Sequence, residues 1–110
     1  MSDICVRRYK GADQAACLAI FDGLVPRFFA PEERPEFAGF LEDCALGVAP
    51  YLVLLHAGRV VACGGYALHG ARARLTWGMV AREVQGTGLG RALTAARLDT
   101  HGRVLSAVRV

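Results

Sequence analysis

Three glycines within five residues, Gly86, Gly88 and Gly90, stand in the stretch VAREVQGTGLGRALTAARLD (80–99), directly before a run with helical spacing. Glycine admits positive φ and lets another molecule approach the main chain without meeting a Cβ. A glycine loop that feeds a helix N-terminus exposes amide N–H groups at the positive end of the helix dipole, donors suited to an anion and most often to a phosphate. Two familiar phosphate loops do not fit. A Walker A loop needs Gly-Lys-Ser/Thr, and the single lysine, Lys10, lies far from the glycines. A dinucleotide fingerprint needs Gly or Ala at Leu93 if counted from Gly88, or at Arg91 if counted from Gly86, and it belongs in a first βα unit, whereas this loop comes late.

Groups for proton transfer are scarcer. The segments YLVLLH, RVVACGGYAL and ARARLTWGMV contain no carboxylate, so the nearby titratable side chains are His56, Tyr66 and His69. Histidine titrates near neutral pH and is the natural base among them. Each also has a plain structural reading: His56 borders the turn HAGR, His69 lies in LHGA, and Tyr66 packs within a strand. The four cysteines, Cys5, Cys17, Cys44 and Cys63, have no metal-site spacing and read as small buried hydrophobes in a reducing compartment, so no metal is expected. Trp77 and Met79 read as core or cleft wall.

The elements that must hold these groups follow from periodicity. DICVRRY alternates as a strand. Gly11 opens a helical stretch with Cys17, Phe21 and Leu24 on one face, ending near Pro26. A second helix begins in APEERPEF, where Pro31 and Pro35 suit a first turn, and buries Phe37, Phe40, Leu41 and Cys44. YLVLLH and RVVACGGYAL form a hairpin across the short AGR, and ARARLTWGMV is a third strand of this group, in which Gly78 marks a bulge or a close backbone approach. Leu89, Ala92, Leu93 and Ala96 follow helical spacing, and RVLSAVRV is a last strand. The order is β-α-α-β-β-β-α-β, a mixed, mostly antiparallel α/β (α+β) sheet in one domain, residues 1–110.

Twelve arginines and one lysine give a formal charge of +3 without a basic block, which argues against a nucleic-acid surface. No apolar run approaches a membrane span and no h-region opens the chain, so a cytoplasmic protein with no membrane partner is expected.

Gln85-Gly86-Thr87-Gly88-Leu89-Gly90 matches the pattern Q/R-x-x-G-x-G/A, follows a strand ending in Met79-Val80, and leads into Arg91-Ala92-Leu93. With this element order, the chain resembles the N-terminal three-quarters of a GNAT-superfamily N-acetyltransferase, truncated after the fifth strand. The resemblance implies acetyl-CoA as donor substrate and a small-molecule or peptide amine as acceptor. It implies that Gln85, Gly86, Thr87, Gly88, Leu89, Gly90 and Arg91 bind the pyrophosphate. It also implies a bulge at Gly78, Met79 and Val80 that lets pantetheine pair with β-strand backbone, with an amide near Met79 or Val80 donating to the thioester oxygen. Acceptor contacts in the family come from the segment between the first two helices, here VPRFFAPEE with Phe28, Phe29 and Glu32. Phe28 and Phe29 cannot easily both bury on one helical face, though they also suit a staple for the second helix, and the glutamates suit a helix start. Full-length relatives carry a further helix, often with a tyrosine that protonates the CoA thiolate, and no residue here takes that role. A non-catalytic acyl-CoA-binding module or relic, and an interaction domain that recruits a partner by a sheet edge, are the alternatives. The apolar end, Val104, Leu105, Val108 and Val110, predicts a homodimer joined through an open edge.

Overall fold

The computed structural model describes residues 4–69, 72–88 and 91–92, with the backbone alone at 68–69 and 72–73. Leu89, Gly90, most of the expected third helix, and the fifth strand with its dimer edge lie outside the described residues.

The most apolar segment organises the sheet. In β2 (Tyr51–His56), Tyr51, Leu52, Val53 and Leu54 are each no more than 6% exposed, so both faces are covered, which is why the segment reads as a continuous apolar run. It pairs antiparallel with β1 (Ile4–Arg8) and with β3 (Arg59–His69), and β3 pairs antiparallel with β4 (Arg72–Val80), giving the order β1-β2-β3-β4. The β2–β3 turn is Ala57-Gly58, with φ of 53° and 80°, the two positive values of a type I′ hairpin. Among the described residues no helix is long and apolar enough to cross a membrane.

Helices α1 (Gln14–Gly23) and α2 (Arg34–Ala45) each follow a 3-10 turn, Gly11–Asp13 and Pro31–Glu33. Both turns are closed by an acid. The Asp13 carboxylate accepts from the Lys10 amide at 2.9 Å and from two Arg7 nitrogens at 2.8 and 2.9 Å, while Glu33 accepts from the Ala30 amide at 2.7 Å. The Arg7 guanidinium, followed by the Lys10 amide, holds the Asp13 carboxyl below the usual carboxylate range against the opposing effect of burial. Arg34 bridges to Asp22 at 2.8 and 3.1 Å, clamping the start of α2 to the end of α1.

The expected helical stripes are largely the buried ones: Cys17, Phe21, Phe37 and Leu41 are inaccessible to solvent and pack with Val53, Leu54, Val61 and Cys63 from the sheet, whereas Phe40 is only partly buried at the edge of this cluster. Three cysteines are buried as expected, but Cys5 is exposed on β1, because its strand lies at the sheet edge. A hydrogen bond with Cys63, then burial, pushes the Cys17 thiol far up, and burial pushes Cys44 up to about 12. Both stay protonated and serve as packing groups, not nucleophiles.

Candidate functional site

The sheet is irregular at one place that matters. Between the pairs Cys63–Met79 and Gly65–Thr76, the single residue Gly64 of β3 faces two residues of β4, Trp77 and Gly78. This is a β-bulge at the position expected for Gly78, but the left-handed residue is Trp77, with φ of 42°. A tryptophan tolerates that conformation here for two reasons. The buried Tyr51 hydroxyl donates to the Trp77 carbonyl at 2.6 Å, and burial, the largest cause, holds the Tyr51 pKa well above its ordinary value, so the donor stays protonated. The Trp77 ring also sits among Phe37, Phe29 and Phe40, with centroids 5.0, 6.1 and 6.2 Å away.

A glycine that permits a close approach beside this bulge is Gly65. A Cβ there would lie 2.4 Å from the Pro50 carbonyl oxygen, 2.7 Å from the Tyr51 ring and 2.9 Å from the Thr76 hydroxyl. Sequence reading passed over both Tyr51 and Gly65. The GG in RVVACGGYAL was the available signal, since paired glycines inside a strand mark a backbone crossing.

Beyond the bulge the register resumes at Met79 and Val80, and the Ala81 amide donates to the Val61 carbonyl at 2.7 Å. A 3-10 turn, Arg82–Val84, is pinned to the start of β3 by an ion pair between Glu83 and Arg59. The loop then folds on itself: Gln85 Nε2 donates to the Val80 carbonyl at 3.2 Å, and the Thr87 hydroxyl donates to the Val84 carbonyl at 2.5 Å. Gly86 and Gly88 have φ of 82° and 87°, and the Ala92 amide donates to the Gly88 carbonyl at 3.1 Å, a helical i to i−4 bond that includes Arg91. The amides of Gly86, Thr87 and Gly88 have no acceptor among the described residues, and a Cβ added at Gly86 or Gly88 would meet nothing within 4 Å. Amides without an acceptor among the described residues, beside open space at a helix start, are donors that fit a pyrophosphate.

The remaining expected residues fall in different places. Tyr66 is buried on β3 opposite Leu75, one residue past Gly65 at the bulge. His56 is exposed at the last position of β2, at the far end of the strand from Tyr51 and about 16 Å away along it. His69 pairs with Arg72 at the other end of β3, so the three are not brought together. Phe29 turns inward and stacks on Phe21 at 4.9 Å, whereas its neighbour Phe28 is 55% exposed with the Arg27 guanidinium 5.5 Å from its ring centre. Glu32 is exposed on the 3-10 turn before α2.

Two helices connecting an edge strand to an antiparallel meander, with a bulged fourth strand that runs into a glycine loop and a helix start, constitute the fold of the GNAT-superfamily N-acetyltransferases. Solved structures carry this assignment. A GNAT-family acetyltransferase from Desulfovibrio desulfuricans superposes with a TM-score of 0.77 at 20% identity, covering 88% of this chain and 64% of its own. The ribosomal-protein-alanine N-acetyltransferase of Brucella melitensis gives 0.69 at 27% identity, covering 87% and 65%. An acetyltransferase from Salmonella typhimurium, solved with acetyl-CoA, gives 0.68 at 23%, covering 89% and 62%. The chain thus spans somewhat less than two thirds of the length of these proteins. No protein-family model and no curated protein matches it.

Proposed function

We propose that this chain transfers an acetyl group from acetyl-CoA to a primary amine. The observation that carries the reading is the amides of Gly86, Thr87 and Gly88, without an acceptor among the described residues, on the loop that follows the bulged strand β4. The cofactor supplies an activated acyl carbon. The loop amides and Arg91 hold its pyrophosphate, with Leu89 and Gly90 completing the loop. Met79 and Val80, beyond the bulge, orient the pantetheine by strand-like pairing and donate an amide to the thioester oxygen, where negative charge develops.

The acceptor enters along the α1–α2 connection past Phe29 and Glu32, and its ammonium loses a proton before attack. Tyr66 lies closest along the sheet to the bulge and is the favoured group to relay that proton; His56 and His69 stand at strand ends.

Calorimetry with CoA tests the donor site, and thiol release from acetyl-CoA with an amine panel tests transfer. CoA at a hundredfold excess over Kd stabilises the fold by about 2.7 kcal/mol. Gly88→Val removes most of that gain, because a branched side chain is strained at φ of 87° and stands beside the donor amides. Equal CoA binding by the variant refutes the donor site. Binding without transfer to any amine supports a non-catalytic acyl-CoA-binding module instead.

A further inference from the structure

The free side of β4 carries backbone groups that the sheet does not use. The Ala81 amide donates to the Val61 carbonyl at 2.7 Å, so Ala81 faces β3. In an antiparallel ladder the N–H and C=O of one residue point to the same side and successive residues alternate, so those of Val80, paired with Ala62, point away from β3. β4 is the last strand in the order β1-β2-β3-β4, and among the described residues no strand lies beyond it. The Val80 carbonyl is nevertheless occupied. The side chain of Gln85, five residues on, reaches back and donates to it from Nε2 at 3.2 Å.

That contact separates Gln85 from the rest of the glycine loop. Its own amide donates to the Arg82 carbonyl at 3.4 Å, whereas the amides of Gly86, Thr87 and Gly88 have no acceptor among the described residues. Gln85 therefore has no backbone donor to offer a pyrophosphate, and its exposed carboxamide is committed to the strand edge. Along this same edge a pantetheine chain pairs with β4: an incoming amide N–H takes the Val80 carbonyl as its acceptor, and the Val80 N–H is the matching donor. Proteins commonly cover a strand edge that they leave unpaired. Here the cover stands where the ligand must lie.

We infer that the Gln85 carboxamide is a latch on the pantetheine edge, holding the Val80 carbonyl in the free protein and yielding it to a pantetheine amide when CoA docks. The inference rests on the acetyl-CoA reading above. It makes the side chain of the loop's first residue a competitor of the pantetheine arm and not a ligand of the pyrophosphate. Affinity for pantetheine-bearing ligands is thereby held below what the strand edge and the loop amides alone provide.

Calorimetry and NMR on the full chain test it together. Gln85→Ala binds CoA about threefold more tightly than wild type, the effect of one exposed neutral hydrogen bond that no longer competes. Gln85→Met, which keeps the length of the side chain without its donor, gains similarly. ADP, a pyrophosphate without pantetheine, shows no such gain. Gln14 and Gln85 are the only glutamines and the sequence has no asparagine, so a nitrogen-labelled chain shows two side-chain carboxamide pairs, and the one lost in Gln85→Ala is assigned to Gln85. CoA moves that pair toward the position of a free carboxamide and leaves the Gln14 pair in place, whereas ADP moves neither. CoA affinity unchanged or lowered in both variants, an equal gain for ADP, or a Gln85 pair that stays in place at saturating CoA overturns the inference while leaving the acetyl-CoA reading intact. Failure of CoA to bind wild type and both variants overturns both. Gln85 is exposed, so neither substitution disturbs packing.

Discussion

Replacing Tyr51 by Phe removes the hydroxyl that holds the bulge while leaving the ring in place. The ring keeps its contacts with Phe40, Tyr9 and Phe37, at centroid distances of 5.3, 5.9 and 6.4 Å, so little packing is lost. What disappears is a 2.6 Å hydrogen bond from a residue only 2% exposed to the carbonyl of Trp77. An acceptor stripped of its partner in this part-buried site costs about 1–3 kcal/mol. Part of this is recovered if Trp77 leaves the left-handed region, which by itself costs roughly 1 kcal/mol. The net destabilisation is therefore about 1–2 kcal/mol, read as a melting temperature about 4–12 °C lower at this chain length. Any such relaxation also rotates the peptides leading to Met79 and Val80, so CoA affinity falls by roughly threefold to tenfold. Differential scanning calorimetry and CoA titration of the same preparation measure both effects. A variant that melts within a degree of wild type refutes the energetic role of the hydroxyl. One that loses stability but binds CoA normally refutes the claim that the bulge positions the donor site.

Gly65→Ala destabilises the fold by about 1–3 kcal/mol, because the new methyl meets the Pro50 carbonyl oxygen at 2.4 Å; unchanged denaturant stability would contradict the close approach. Stability also falls in acid through Asp13. Its folded pKa lies below its unfolded value, so its contribution is complete above about pH 4 and is lost as pH falls through the lower folded value. Asp13→Asn is accordingly less stable than wild type by about 1–2 kcal/mol at pH 7, and the gap closes near pH 2; a gap independent of pH would show that charge pairing with Arg7 plays no part.

Periodicity alone made most of the architecture legible. The apolar stripe Phe37, Phe40, Leu41, Cys44 defines a helix, the run YLVLLH a covered strand, and the glycines after a strand a loop before a helix start, because each of these signals depends on neighbours within one or two turns of chain. The proline and acid pattern before α2 likewise marked its start, and Glu33 closes the 3-10 turn that leads into it. Tertiary contacts decided what those local signals leave open. Gly78 looked like the unusual backbone position, yet Trp77 carries the positive φ, because Tyr51, 26 residues earlier in the chain, captures its carbonyl. Phe28 and Phe29 are indistinguishable as adjacent letters, but the hydrogen bonds of both amides to the Leu24 carbonyl set a turn that sends one ring outward and the other onto Phe21. The number of arginines was plain from composition, whereas which of them remain uncompensated depends on where Asp13, Asp22 and Glu83 fold back. Local sequence sets propensity and period; the pairing of residues far apart in the chain, enforced by burial, sets the strain, the charge and the side-chain directions on which a site depends.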